Sequence, residues 1–202
     1  MLKHIAKLMV LMAMSFFILS VPAQVKADAE VKAPPASSER EIHKHAVGIG
    51  LGQTFLLGQF EDYGDNKITA DILYSYTASY SFDVLVNIHF SNHEFKDKKV
   101  NLTGYVMSIK ARSYEFDAFS PYLLGGLGFY APQIIDEEAD EESDIKNTFG
   151  FNLGAGVDLR LNEKVIIGLM TQFHKPFEIK QEDTSDIRGS YFKLLLTAMY
   201  QF

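Results

Sequence analysis

A histidine and a serine that could do chemistry together lie two positions apart in the first half of the chain. His89 and Ser91 flank Phe90, and Glu94 follows three residues after the serine. A nucleophilic serine needs an adjacent base, and the base needs an acid that orients it. Residues two apart in a strand share a face, so the two side chains can meet. The alternation assigns both to the polar face of the segment, however, and no wider catalytic motif surrounds them. We therefore predict no catalytic residue and no enzymatic activity.

Charged residues of both signs lie in the middle of segments that otherwise alternate between apolar and polar residues. In one interpretation they form a gate, or a path for protons or ions, through a narrow interior. In the other they pair and plug an interior that is too narrow for a water channel. Burial of such charges is tolerable only if they pair, so we favour the plug. The predicted interior charge network consists of Asp71, Asp83, Lys110, Arg112, Asp158, Arg160 and Lys193.

The run 131–146 concentrates negative charge, with seven Asp or Glu residues against Lys146 alone. Hard cations take oxygen ligands, so the run could bind Ca²⁺ or Mg²⁺ together with membrane phosphates. It could also be a solvated segment whose like charges repel each other. We favour the solvated segment and predict no metal site, because the run lacks a defined ligand spacing and has no glycine.

Other kinds of chemistry find no support in the sequence. The chain has no cysteine, which excludes disulfides, thiol chemistry and lipid attachment through an N-terminal cysteine. It contains no P-loop, dinucleotide fingerprint, zinc-ligand spacing or basic nucleic-acid patch. We predict no cofactor and no nucleic-acid partner.

The N-terminus has the pattern of a secretory leader. Lys3, His4 and Lys7 precede an apolar run from Leu8 to Val21, and small-residue cleavage sites follow it. The run is shorter than the roughly 20 apolar residues that a spanning helix needs. We predict a signal peptide at 1–27, cleaved after residue 23 or 27, and a flexible tether at 28–44. Residues 45–202 are predicted to form one domain.

Eight segments of that domain show the two-residue period of strands with unlike faces. Their lengths suit tilted strands that cross a bilayer. The connections alternate between long (59–66, 91–99, 131–146 and 176–188) and short (78–81, 113–118 and 161–163). The predicted strands are 45–58, 67–77, 82–90, 100–112, 119–130, 147–160, 164–175 and 189–202.

Two all-β architectures fit this pattern. A secreted lipocalin-like barrel turns its apolar faces inward, whereas a membrane barrel turns them toward lipid. Mid-strand charges on the polar faces, glycines on the same faces and aromatic residues near strand ends favour the membrane barrel. We predict Phe55, Phe90, Phe149, Phe173 and Phe192 at one rim of the apolar band and Tyr74, Tyr76, Tyr200 and Phe202 at the other. The fold class is predicted as an eight-stranded antiparallel up-and-down transmembrane β-barrel. The faces of the fifth strand stay ambiguous, because both are apolar or glycine.

Segments 121–130 and 150–168 resemble the small bacterial outer-membrane barrels typified by the OmpA transmembrane domain, OmpW and OmpX. A Pro-Tyr pair opens a glycine-rich strand at Pro121, and a Gly-x-Gly-Val-Asp strand runs from Gly154 to Asp158. The resemblance covers about 45–202. It implies a monomer in the bacterial outer membrane that contacts lipid and lipopolysaccharide. It further implies that Tyr200 and Phe202, at the end of an alternating terminal strand, are recognised by the barrel-assembly machinery.

Three functions remain open from the sequence. The first is a non-enzymatic role at the surface or in membrane integrity, as in the OmpA and OmpX families. The second, implied by the OmpW resemblance, is passive passage of small hydrophobic molecules. The third is modification of lipid A, because a lipid A deacylase barrel uses a His-x-Ser pair with a carboxylate, which here would be His89, Ser91 and Glu94. Both His89 and Ser91 fall on the inner face, away from lipid, so this third function is the least supported.

Overall fold

A computed structural model describes residues 44–112, 118–137, 141–181 and 186–202 of the chain. The predicted leader at 1–27 lies outside the described residues, as does the predicted tether apart from Lys44. Residues 138–140 of the acidic run also lie outside them. The signal peptide and its cleavage site therefore stay predictions.

Eight long antiparallel strands close into a barrel. Each strand pairs with its neighbours in the ring, and pairing of the first strand with the last and of the fourth with the fifth completes the closure. A two-residue strand, β6 (Glu141–Glu142), adds to the end of β5, and a short helix, α1 (Gln59–Tyr63), follows β1. The long strands are β1 (His45–Gly58), β2 (Lys67–Thr77), β3 (Phe82–Phe95), β4 (Lys98–Arg112), β5 (Phe119–Asp136), β7 (Thr148–Arg160), β8 (Val165–Pro176) and β9 (Gly189–Gln201).

The predicted fold class and the eight predicted strands are confirmed, but one predicted connection is wrong. Residues 91–99 do not form a long loop, because β3 continues to Phe95 and β4 begins at Lys98. Lys96 takes a positive φ of 55° in the tight turn between them. The added residues on the outer face of β3, Asn92 and Glu94, are polar, which is permitted beyond the lipid. On the inner face His93 is buried. β5 likewise continues six residues past its predicted end at 130.

The two ends of the barrel differ. We call the end at which β1 begins and β9 ends the turn end, because a four-residue turn at 78–81 joins β2 to β3 there. The opposite end, which carries α1, the β3–β4 hairpin, β6 and the described residues 177–181 and 186–188, is the loop end. This difference reproduces the predicted alternation of connections, apart from 91–99.

The outer surface of the barrel is apolar between two rings of aromatic residues. Ile72, Leu127 and Leu196 are 58%, 65% and 68% exposed. At the loop end Phe55 contacts Phe192, Phe90 contacts Tyr105, and Phe129 contacts Phe149, with ring centroids 6.2, 5.8 and 4.3 Å apart. Tyr74, Tyr76, Phe82, Phe119, Tyr200 and Phe202 are exposed near the turn end. An apolar exterior of this kind suits lipid, and the lipocalin-like alternative is wrong. In the described residues, no helix is long and apolar enough to cross a membrane.

The interior is filled by side chains in layers. One apolar cluster near the turn end includes Leu73, Leu85 and Leu195, and a second near the loop end includes Phe60, Val100 and Ile134. Polar side chains lie between them. The faces of β5, which the sequence left ambiguous, are settled because Tyr122, Leu124 and Tyr130 are buried inside. The barrel is thus packed rather than open along its length.

Candidate functional site

Ion pairs occupy the interior at the turn end. Arg112 pairs with Asp83, and Lys110 pairs with Asp158. The Lys110 ammonium also lies 4.0 Å from the centroid of the Tyr122 ring, a favourable cation–π distance. In the described part of the chain, the buried Nε of Arg160 has no hydrogen-bond partner. Five of the seven predicted network residues therefore gather around one shallow recess at this end.

The other two predicted network residues, Asp71 and Lys193, meet in the middle of the barrel, where both side chains are fully buried. Asp71 Oδ2 accepts from the Lys193 ammonium and from Asn87 Nδ2, the latter at 2.8 Å. The strand β1 lies between β2 and β9, but it presents Gly50 and Gly52 to the interior at this level. Because β1 contributes no side chain there, Lys193 can reach across it to Asp71.

A row of hydrogen bonds runs from Asp71 toward the loop end. Asp71 Oδ1 lies 2.6 Å from His89 Nδ1, and His89 Nε2 lies 2.9 Å from Ser91 Oγ. His93 Nε2 lies 2.9 Å from the same Ser91 oxygen, and His93 Nδ1 lies 2.8 Å from the backbone oxygen of Asp65. We refer to Asp71, His89, Ser91, His93 and the Asp65 carbonyl as the histidine row.

The expectation that Glu94 is the acid beside His89 and Ser91 is wrong. Glu94 points outward, and its carboxylate lies 3.9 Å from the Lys67 ammonium, with both side chains nearly half exposed. Asp71 takes its place because β2 and β3 pair Asp71 directly with His89. The side chains of His89 and His93 are buried inside the barrel, as the alternation predicts for His89, so they do not face lipid.

The histidine row spans a gap in the sheet. The ladder between β2 and β3 ends with the pair Ala70 and Phe90, while β2 continues to pair with β1 up to Lys67. Beyond that point the Asp65 N–H donates to the Glu94 carbonyl at 3.4 Å, and His93 contacts the Asp65 carbonyl. We call this stretch the β2–β3 seam. Phe90 belongs to the band of aromatic residues that borders the lipid at the loop end, and His93 follows it in β3. His93 therefore lies beyond the lipid-facing part of the barrel. Burial lowers the pKa of His93 below the ordinary histidine value.

Sequence reasoning missed part of this polar layer. The ring of His174 stacks on Tyr191 at 4.7 Å, and its Nδ1 lies 3.0 Å from the Tyr130 hydroxyl. Tyr191 also stacks on His89, with centroids 5.6 Å apart. Each of these residues occupies an inward position of its strand, so the alternation contained the signal. Aromatic side chains were interpreted only as rim residues, and their inward members were overlooked.

Three described acids near the loop end pair with lysines or with an amide. Lys98 lies 2.8 Å from Asp136, Lys99 pairs with Glu137, and Gln133 Nε2 donates to Glu142 at 2.8 Å. The Glu137 carboxylate raises the pKa of Lys99. Within the described ranges, no three His, Asp or Glu residues are placed to hold a metal ion.

The predicted assembly residues lie at the outer surface of the turn end. Tyr200 and Phe202 are 48% and 55% exposed. The Phe202 N–H donates to the His45 carbonyl at 2.8 Å, and the two rings stack with centroids 5.9 Å apart. The last residue therefore borders the first strand, at the closure of the barrel.

A family model described as "Outer membrane protein beta-barrel domain" matches residues 11–202 of the chain. No curated protein sequence matches significantly. Solved structures do match, and among them Neisserial surface protein A has a TM-score of 0.63 at 12% identity, with 78% of this chain and 97% of that chain covered.

Two further solved structures show the same likeness. OprG from Pseudomonas aeruginosa has a TM-score of 0.57 at 12% identity, covering 79% of this chain and 97% of that one. Ail, the attachment invasion locus protein of Yersinia pestis, has a TM-score of 0.51 at 15% identity, covering 80% of this chain and 100% of that one. At such identities the likeness concerns the fold.

Proposed function

Because this chain belongs to the outer-membrane protein β-barrel domain family and lies in the bacterial outer membrane, we propose that it is a non-enzymatic barrel that acts at the cell surface or in membrane integrity. Its turn end faces the periplasm and its loop end faces outward, since barrels of this kind carry short periplasmic turns and longer external loops. It acts as a monomer, with lipid and lipopolysaccharide around it and the assembly machinery as its partner during insertion.

The filled interior is the observation that carries this proposal. Asp71 and Lys193 pair with no exposure to solvent, and apolar clusters pack on either side of them. Eight strands enclose a space that side chains can fill. An interior filled in this way supports an anchoring or surface role better than conduction. The names of two structural relatives, a surface protein and an attachment protein, describe roles of that kind.

A paired measurement on purified protein and on cells tests the proposal. In a planar bilayer the protein should give no steady conductance of porin size, and an open porin in the same lipid serves as the control. Cells that lack the protein should become more sensitive to detergent or to large antibiotics, and expression of the wild-type chain should restore resistance. A stable open channel in the unmodified protein contradicts the proposal.

Passage of small apolar molecules is the second candidate, and the β2–β3 seam favours it. The ladder between these strands stops at Ala70 and Phe90, at the level of the outer aromatic ring. A solute could leave the barrel sideways at such a point. Uptake of an apolar solute into protein-containing vesicles, without ion conduction and above the rate in protein-free vesicles, would favour this candidate over the surface role.

Modification of lipid A is the least supported function. Although Asp71, His89 and Ser91 stand in the order of acid, base and nucleophile, the serine hydroxyl is held between two imidazole rings on the inner side of β3. This position separates it from the acyl chains around the barrel.

A further inference from the structure

The histidine row contains two imidazole rings that approach one hydroxyl group. His89 and His93 both place Nε2 at 2.9 Å from Ser91 Oγ. The protonation of each ring can be worked out from the group that its other nitrogen contacts, because a nitrogen beside a pure acceptor must carry a hydrogen.

The groups at the two ends of the row, the Asp71 carboxylate and the Asp65 carbonyl, determine which nitrogen of each ring carries a hydrogen. Asp71 is ionised, because the Lys193 ammonium and the Asn87 amide both donate to its Oδ2. Its Oδ1 therefore accepts, and His89 Nδ1 carries a hydrogen. The Asp65 backbone carbonyl can only accept, so His93 Nδ1 also carries a hydrogen.

The neutral row is therefore one hydrogen short. If both rings are neutral with hydrogen on Nδ1, both Nε2 atoms are acceptors. The Ser91 hydroxyl has a single hydrogen to donate and can satisfy only one of them. One added proton removes the conflict, because a protonated ring donates to Ser91 Oγ while Ser91 donates to the other ring. Two added protons create a different conflict: the Ser91 oxygen can accept from both rings, but two adjacent cations repel each other and neither ring is left to accept the Ser91 hydrogen.

We propose that His89, Ser91 and His93 form a site for one shared proton that latches the β2–β3 seam, and that binding of a second proton releases the latch. The geometry places this site where the β2–β3 ladder has ended. There the His93 contact is one of two hydrogen bonds that tie Asp65 to β3. Loss of the His93 contact to the Asp65 carbonyl leaves the 3.4 Å Asp65–Glu94 hydrogen bond as the remaining backbone tie.

Burial opposes a positive charge on His93, and only the first shared proton gains a new hydrogen bond in return. His93 is fully buried, and burial lowers its pKa. A group whose pKa is lower in the closed state than in the open state binds its proton better when the seam is open, so falling pH favours opening. Acidification below the ordinary histidine range is therefore the direction that opens the seam. The titratable and charged groups around the row are Asp65, Lys67, Asp71, Tyr130, His174, Tyr191 and Lys193. Glu94 lies on the outer face of β3, beside Lys67.

Nuclear magnetic resonance of the imidazole nitrogens in the wild-type protein, reconstituted in lipid nanodiscs, tests the proton count directly. At about pH 8 both rings should carry hydrogen on Nδ1 and lack it on Nε2. On acidification both Nε2 signals should shift together as one proton enters, and a second step should follow about one pH unit or more below. A ring with hydrogen on Nε2 at high pH, or two independent steps at the same pH, would overturn the shared site.

Amide exchange tests the latch. After correction for the intrinsic pH dependence, exchange at Asp65 should accelerate about tenfold for each pH unit over which the second proton binds. The variant His93→Gln cannot take that proton and should show no such acceleration. The matched control is His45→Gln at the turn end, which should behave as wild type. Unchanged exchange at Asp65 in the wild-type protein across the second step would overturn the latch, whether or not the His93 variant folds.

Discussion

Replacement of Lys193 by methionine should destabilise the barrel strongly. The change removes the charge at nearly constant length and leaves Asp71 ionised inside the barrel. Both side chains are fully buried, so no water can replace the lost ammonium without rearrangement. Removal of one partner from a buried ion pair costs about 3–5 kcal/mol. Asp71 keeps His89 at 2.6 Å and Asn87 at 2.8 Å, so we expect a loss near the lower limit, about 3 kcal/mol.

A second substitution separates the ion pair from the packing around it. The double variant Asp71→Asn with Lys193→Met contains no unpaired charge at this position. It should recover most of the loss, because uncharged replacements of a buried pair are often nearly neutral. Lys99→Met is the surface control, since Lys99 pairs with Glu137 at the loop end and its side chain is 33% exposed. It should leave the free energy of unfolding unchanged within error.

The assay is reversible unfolding by urea from lipid vesicles, followed by tyrosine fluorescence and by the mobility shift of the folded barrel. The free energy of unfolding is compared for the wild type, the two Lys193 variants and the Lys99 control. Equal losses in the single and the double variant would show that the volume of Lys193, and not its charge, matters. No loss in the single variant would refute the description of Asp71 and Lys193 as a buried, mutually dependent pair.

Four further predictions concern the ends, the faces and the interior of the barrel. Phe202→Lys should slow assembly into the outer membrane, seen as more unassembled or degraded chain in a pulse–chase experiment; assembly at the wild-type rate would count against Phe202 as an assembly signal. Leu153→Arg on the lipid face should cost about 2–4 kcal/mol of unfolding free energy if it lies at mid-bilayer, with Leu153→Ala as the milder control. Gly156→Ala on the inner face should cost about 1–3 kcal/mol by overpacking, because a Cβ there would lie 2.4 Å from the Tyr122 hydroxyl and 2.5 Å from the Leu169 backbone oxygen; a cost of zero would mean that both Tyr122 and the β8 backbone can shift. Ser91 should not react with a fluorophosphonate probe at any pH at which the barrel is folded, and stoichiometric labelling would revive the enzymatic alternative.

Alternation within single strands made most of the fold predictable. In β7 the residues Phe149 and Leu153 are exposed and Asn152 is buried, as the two-residue period requires. The alternation of apolar and polar residues no longer identifies a strand where the strand extends beyond the lipid. Beyond Phe90 the outer face of β3 is polar, because water covers it, and the sequence there no longer differs from that of a loop. The length of the β3–β4 hairpin was therefore not predictable from hydropathy.

The sequence predicted which residues of the candidate site face the interior, but it did not predict which of them contact each other. Asp71, Lys193 and His89 were each placed on inner faces from their own strands. Which of them meet depends on the register between strands, and a single sequence does not determine the register. Thus closeness in sequence indicates Glu94 as the acid beside Ser91, whereas the β2–β3 register brings Asp71 within 2.6 Å of His89. His93 was overlooked because its segment was interpreted as a loop.

The way the barrel closes has a consequence for how the chain can fold. β1, the first strand, pairs along its whole length with β9, the last, from Ala46–Gln201 to Gly58–Gly189. Such contacts join the most distant parts of the domain, and contacts of this separation are the slowest to form. Until β9 arrives, β1 and β8 both present unpaired edges that can join other chains. A ribosome that stops before Gly189 therefore releases a sheet with two open edges rather than a smaller barrel, and the domain completes only when its final residues are in place.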